Sequence, residues 1–123
     1  MAKIIVVDDD KASTALFNQV LLMNGYEVVI VNESTKVLET AARELPDLII
    51  LDLMMPEPDG FKVCRMLRAD PILRRTPIII VTALNDVDSR LVAIGAGAND
   101  YLVKPFHIDT LYDSVERQLN KNK

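Results

Sequence analysis

One cysteine, Cys64, and one histidine, His107, are the only thiol and imidazole in this 123-residue chain. A single thiol excludes a disulfide framework or a thiolate metal site within one chain. His107 stands by itself where the last helix is expected to start, and reads as a surface residue rather than a metal ligand or phosphate carrier. Glycine is scarce, with four residues, and none follows the first apolar run. That removes the glycine-rich phosphate cradle of P-loop and dinucleotide-binding proteins. Basic charge is also short: the net charge is −4, which argues against direct binding to a phosphate backbone. Arg65, Arg68, Arg74 and Arg75 read as a solvated helix face and loop. No apolar stretch is long enough to cross a bilayer, and no signal-peptide pattern precedes the first strand. The expectation is therefore a cytoplasmic protein without a membrane partner. With 50% apolar and 26% charged residues, the chain fits one compact domain over residues 1–123.

What is present is a series of short apolar runs, each ending in chemistry. Ile4-Ile5-Val6-Val7 ends in Asp8-Asp9-Asp10, and Leu48-Ile49-Ile50-Leu51 ends in Asp52. Ile78-Ile79-Ile80-Val81 ends in Thr82, and Tyr101-Leu102-Val103 ends in Lys104-Pro105. Runs of this length, rich in Val and Ile, read as strands buried on both faces. Strands are expected near 3–8, 27–31, 47–52, 77–82 and 99–103, with helices near 11–24, 34–44, 59–69, 85–96 and 107–120. Gly25 and Gly97 suit helix ends, Ser34 or Asn32 suits a cap of the second helix, Pro46 stops it, and 120–123 look frayed. Five β–α units predict an α/β fold, a doubly wound parallel sheet with helices on both faces.

Parallel strands bring their carboxyl ends to one edge, where open α/β sheets bind ligands. Two carboxylates ~4 Å apart repel by up to about 4 kcal/mol at an effective dielectric near 20, and a bound divalent cation removes that cost. Oxygen-only donors select a hard ion, Mg²⁺ or Mn²⁺, over zinc. Asp10 is better read as a helix cap. An Asp carboxylate can act as a nucleophile towards phosphorus, given a metal and donors for the transferred oxygens. Thr82 and Lys104 supply such donors at the same edge, so the set reads as a phosphoryl-transfer site.

Five motifs together resemble the receiver domain of two-component response regulators. They are Val6-Val7-Asp8-Asp9-Asp10, Leu51-Asp52-Leu53-Met54-Met55-Pro56, Asp59-Gly60, Val81-Thr82-Ala83 and Lys104-Pro105-Phe106. The resemblance covers essentially the whole chain. It implies a flavodoxin-like sheet of order 2-1-3-4-5. It also implies that Asp52 accepts a phosphoryl group from a histidine kinase or histidine phosphotransfer protein. Asp9, Asp52 and the backbone carbonyl of Met54 would bind Mg²⁺, with Asp8 acting through water. Thr82 and Lys104 would contact phosphoryl oxygens, the Lys104-Pro105 bond would be cis, and Tyr101 would be the aromatic switch residue coupled to Thr82. Such a domain catalyses only its own phosphorylation and dephosphorylation, and acts on a downstream protein target or output domain. The face around the fourth helix, fifth strand and fifth helix is the one expected to shift.

Several residues depart from the pattern. Pro58 replaces the Met that usually precedes Asp59-Gly60, and Glu57-Pro58 should stiffen that loop. Met54 and Leu84 are apolar where relatives tune attack by water, implying a slowly lost phosphoryl group. Arg90 and Asp100 match two charges of the dimerising receivers, but Thr110 and Ser114 stand where their partners would be, which weakens that form of dimer. Val92, Tyr101 and Tyr112 read as scattered apolar residues rather than a docking face. Ala12, Ser13 and Ala15 resemble a surface where a kinase or phosphotransfer helix docks, and neighbouring Leu16 reads as core. No segment for an output domain follows the last helix, so the chain is expected to be a stand-alone regulator or part of a longer protein. A haloacid-dehalogenase-type phosphohydrolase would make Asp8 the nucleophile and needs an acidic pair after Lys104, which is missing. A receiver that only binds partners is disfavoured because every site residue is retained. Asp9→Asn is expected to stabilise the metal-free fold by removing like charge while abolishing Mg²⁺ binding. Thermal unfolding in chelator checks this; equal or lower stability of the variant would contradict it.

Overall fold

The computed structural model describes residues 1–121. The elements alternate along the chain: β1 (Lys3–Val7), α1 (Lys11–Met23), β2 (Glu27–Val31), a 3₁₀ turn (Ser34–Lys36), α2 (Val37–Glu44), β3 (Leu48–Leu51), α3 (Gly60–Ala69), β4 (Ile78–Thr82), α4 (Val87–Gly95), β5 (Asp100–Val103) and α5 (Ile108–Asn120). All four strand pairings are parallel, and the order is β2-β1-β3-β4-β5. This is a flavodoxin-like doubly wound sheet, with the strand order that the resemblance to receivers implies.

Strand side chains alternate between two faces, so each apolar run feeds two cores. Ile5, Val7, Ile49, Leu51, Ile78 and Ile80 pack with Val37, Ala41, Val63, Leu67 and Ala93 of α2, α3 and α4. Ile4, Val6, Leu48, Ile50, Ile79 and Val81 pack with Phe17, Val20, Leu21, Leu111 and Val115 of α1 and α5. Apart from Lys3 at the start of β1 and Thr82 at the end of β4, the three central strands are therefore apolar, whereas edge strand β2 is only partly buried at Val28, Val29 and Ile30. Each fully buried Ile or Leu contributes about 1.5–3 kcal/mol, and these strands hold most of them.

Helix ends follow from short-range chemistry. Asp10, Asp59 and Asp86 accept bonds from Ala12, Lys62 and Ser89 amides and start α1, α3 and α4. Gly25 (φ +86°) and Gly97 (φ +112°) end α1 and α4. After each, the next residue donates back into the last turn, Tyr26 to the Leu21 carbonyl and Ala98 to the Ala93 carbonyl, the paired-bond ending that needs a left-handed residue.

The second helix differs from expectation. Residues 34–36 form a 3₁₀ turn, α2 begins at Val37, and neither Asn32 nor Ser34 caps it. Their side chains are drawn instead to carbonyl groups elsewhere in the fold. Leu45, itself left-handed (φ 49°), turns the chain before Pro46. Of the tail expected to fray, Asn120 belongs to α5, and residues 122–123 lie outside the described residues. Leu16 is half exposed rather than core, because Phe17 and Val20 take the buried face of α1. No described helix is long and apolar enough to cross a membrane.

α4 buries only Ala93, and a Cβ built on Gly95 in its last turn meets nothing within 4 Å. Gly95→Ala is therefore expected to raise unfolding free energy by about 0.5–1 kcal/mol through helix propensity. Denaturant unfolding measures it, and a destabilised variant would show that the position has a hidden constraint.

Candidate functional site

Strand register assembles the site. Val7 pairs with Leu51 across β1 and β3, so Asp8 and Asp52 emerge side by side, and the Asp52 amide donates to the Val7 carbonyl at 3.0 Å. Thr82 pairs with Val103, and the Lys104 amide donates to the Thr82 carbonyl at 2.8 Å. Phe106 stacks on Phe17 of α1 at 5.4 Å, anchoring the segment after Lys104, whose bond to Pro105 is cis. The Glu57–Pro58 bond is cis as well.

Lys104 closes the edge. Its Nζ lies 2.7 Å from Asp8 Oδ2 and 3.0 Å from Asp52 Oδ2, with Asp8 only 2% and Asp52 7% exposed. The other oxygens are held by backbone: Asp8 Oδ1 accepts from the Asp10 amide at 3.0 Å, and Asp52 Oδ1 from the Met54 amide at 3.1 Å. Burial acts to lower the Lys104 pKa, but its bonds to Asp8 and Asp52 outweigh that and leave it above the ordinary lysine value. A raised folded pKa means that the stabilisation from this ammonium is complete at neutral pH. It is lost only as pH climbs through that raised value.

Thr82 is fully buried, and its Oγ1 accepts from the Leu84 amide at 3.4 Å. Tyr101 points inward at 4% exposure and donates its hydroxyl to the Leu84 carbonyl at 2.7 Å, with the Arg90 guanidinium 5.1 Å above its ring. The segment after Thr82 is thus tied to β5. Burial, then the charge of Asp86, pushes the Tyr101 hydroxyl pKa up. Asp100 is engaged within the chain by Ser114 and by Arg117 at 3.4 Å. Tyr112 donates its hydroxyl to the Val20 carbonyl of α1 at 2.6 Å.

The remaining expected members are less tightly gathered. Asp9 is exposed and lines a cavity of about 200 Å³ with Asn32, Glu33, Ser34, Thr35, Pro56 and Glu57. Among the described residues no three Asp, Glu, His or Cys side chains converge as a ready metal cage. Leu84 packs against the core, whereas Met54 is 54% exposed and does not shield the site. With Lys104 already between Asp8 and Asp52, the like charge left for Asp9→Asn to relieve is at the exposed rim. The donor set does fit a hard divalent ion: it is all oxygen, and an ammonium already bridges two of its carboxylates.

Gly60, in the sequence one half of the Asp59-Gly60 motif, has a steric role that its spacing does not reveal. A Cβ on Gly60 would stand 2.2 Å from the Asp52 carbonyl oxygen and 2.5 Å from Leu53 Cα. The start of α3 therefore rests directly on the backbone that follows β3, and the Gly60 amide donates to the Leu53 carbonyl at 3.1 Å.

Residues 4–116 match the model of the response regulator receiver domain. The chain belongs to that family. This receiver is 40% identical over 123 residues to the response regulator MprA of Mycobacterium leprae, covering 98% of this chain and 52% of that protein. It is 42% identical over 122 residues to the response regulator PleD of Caulobacter vibrioides, covering 99% of this chain and 27% of that protein. The chain thus spans about half, or about a quarter, of the curated relatives it matches. Among solved structures, the signal receiver domain of a histidine kinase from Syntrophus aciditrophicus superposes with a TM-score of 0.92 at 32% identity, covering 100% of this chain and 93% of that one. The family carries phosphorylation-dependent signalling in two-component systems and generally binds Mg²⁺.

Gly60→Ala is expected to cost about 1–3 kcal/mol, because the added carbon meets backbone rather than a movable side chain. Urea unfolding checks this; an unaffected variant would mean that α3 can shift freely.

Proposed function

We propose that this receiver accepts a phosphoryl group on Asp52 and uses it to shift the face formed by α4, β5 and α5. The observation that carries the reading is the Lys104 ammonium held between the buried carboxylates of Asp8 and Asp52 at the carboxyl edge of the sheet. A carboxylate oxygen of Asp52 attacks phosphorus in a phosphohistidine of a kinase or phosphotransfer protein. The new O–P bond forms as the P–N bond breaks, and the electron pair leaves on the imidazole nitrogen. Lys104 and the Thr82 hydroxyl hold the oxygens of the transferred group. Asp8, Asp9, Asp52 and the Met54 carbonyl would hold Mg²⁺, which supplies neutralisation of the accumulating negative charge.

The aspartyl phosphate adds charge and acceptor oxygens where Lys104 already sits. As Thr82 turns towards them, the segment to Leu84 follows, and the Tyr101–Leu84 bond transmits the change to β5 and α4. Reversing a 1:99 population takes about 5.5 kcal/mol of differential interaction, within reach of several charge-assisted bonds. The partner on this face is a downstream protein or an output domain. No turnover of an independent substrate is involved.

Intact mass after incubation with Mg²⁺ and acetyl phosphate tests the reading. Gain of one phosphoryl group is expected for the wild type and none for Asp52→Asn. Modification surviving in the variant would move the nucleophile to Asp8 or Asp9.

A further inference from the structure

Between β2 and α2 the chain runs Asn32-Glu33-Ser34, and both polar side chains reach across the fold. Asn32 Nδ2 donates to the Asp8 carbonyl at 2.9 Å and to the Thr14 hydroxyl at 3.1 Å. Thr14 is itself buried, and its hydroxyl donates to the Lys11 carbonyl at 3.1 Å. Buried Ser34 donates to the Pro56 carbonyl at 3.0 Å. One short segment therefore grips the loop carrying Asp8 and Asp9 on one side and the loop following Asp52 on the other. The cavity lined by Asp9 lies between these grips, with Asn32, Ser34 and Pro56 in its wall.

The peptide unit is planar, so fixing the Asp8 carbonyl also fixes the Asp9 amide and the place of the Asp9 Cα from which its side chain departs. Holding the Pro56 carbonyl likewise limits the path of the chain from Met54 onward. Asp9 needs such help more than Asp8 or Asp52, being exposed where they are buried and held by Lys104. We infer that Asn32 and Ser34 are positioning residues for the divalent cation, setting the approach of the Asp9 donor to the loop that follows Asp52. This rests on the reading that Asp8, Asp9 and Asp52 hold Mg²⁺. Neither residue touches the cation or the reacting atoms. They act through carbonyl groups, as outer partners of metal ligands do when they orient a site.

Calorimetric titration of the full chain with magnesium chloride alone, alongside thermal unfolding, tests the inference. Asn32→Ala and Ser34→Ala are each expected to raise the Mg²⁺ Kd about tenfold. Ser34→Thr keeps the hydroxyl and should restore wild-type affinity. Phosphorylation by acetyl phosphate at saturating Mg²⁺ should be retained in all three. Unchanged Kd in both alanine variants, with normal binding by the wild type, would overturn the brace and leave the phosphoacceptor reading intact. Equal weakening in Ser34→Thr and Ser34→Ala would also overturn it, since the hydroxyl would then have no role. Absence of Mg²⁺ binding by the wild type would overturn the metal assignment itself. Should Asn32→Ala not fold, the Ser34 pair decides the matter.

Discussion

The ammonium of Lys104 lies between two carboxylates that would otherwise repel each other at a nearly dry sheet edge. At an effective dielectric near 20, two like charges ~4 Å apart cost about 4 kcal/mol. Burying an unpaired charge is worse still, so Asp8 and Asp52 are tolerable at 2% and 7% exposure only because a cation faces both. Each carboxylate also takes one backbone amide, from Asp10 and from Met54, which leaves no oxygen of the pair unsatisfied. This arrangement holds β1, β3 and β5 in one electrostatic unit across 96 residues of sequence separation.

Buried Thr82, one strand away on β4, places a hydroxyl at the same sheet edge. The first connection downstream is the segment from Ala83 to Asp86, tied to β5 by the Tyr101 hydroxyl and flanked by Arg90. α4 itself is held unevenly. Near its carboxyl end Arg68 donates to the Gly97 carbonyl at 2.9 Å and to Asn99 Oδ1 at 2.7 Å, and Cys64 Sγ contacts the Ala96 carbonyl at 3.5 Å. Its amino half shows exposed Val87 and Leu91 and a cap made only with its own Ser89. α4 is thus tied to α3 at its carboxyl end, while Tyr101 holds the segment that leads into its amino end.

Much of this is legible in the amino-acid sequence. Strands buried on both faces announce themselves as continuous Val, Ile and Leu runs, and residues ending such runs must meet at one edge when the strands are parallel. Asp10 read correctly as a cap because capping is a matter of two or three residues. The misjudged residues share a cause. Asn32 and Ser34 have cap-forming side chains beside a helix, and the local pattern could not show that the Asp8 and Pro56 carbonyls offered better partners. Leu16 was misplaced because one residue of rotation along α1 separates the buried face from the solvent face.

The sequence by itself determined the layer architecture, the oxygen-only donor set and the identity of the edge residues, since period and composition are properties of neighbouring positions. Only the tertiary structure decided that Lys104 bridges Asp8 and Asp52, that Asp9 stays at the rim, and that Gly60 must lack a side chain against the Asp52 carbonyl. Those outcomes depend on where carbonyl groups and charges from distant segments come to rest. No run of adjacent residues encodes that, because it arises only when the strands have been laid side by side.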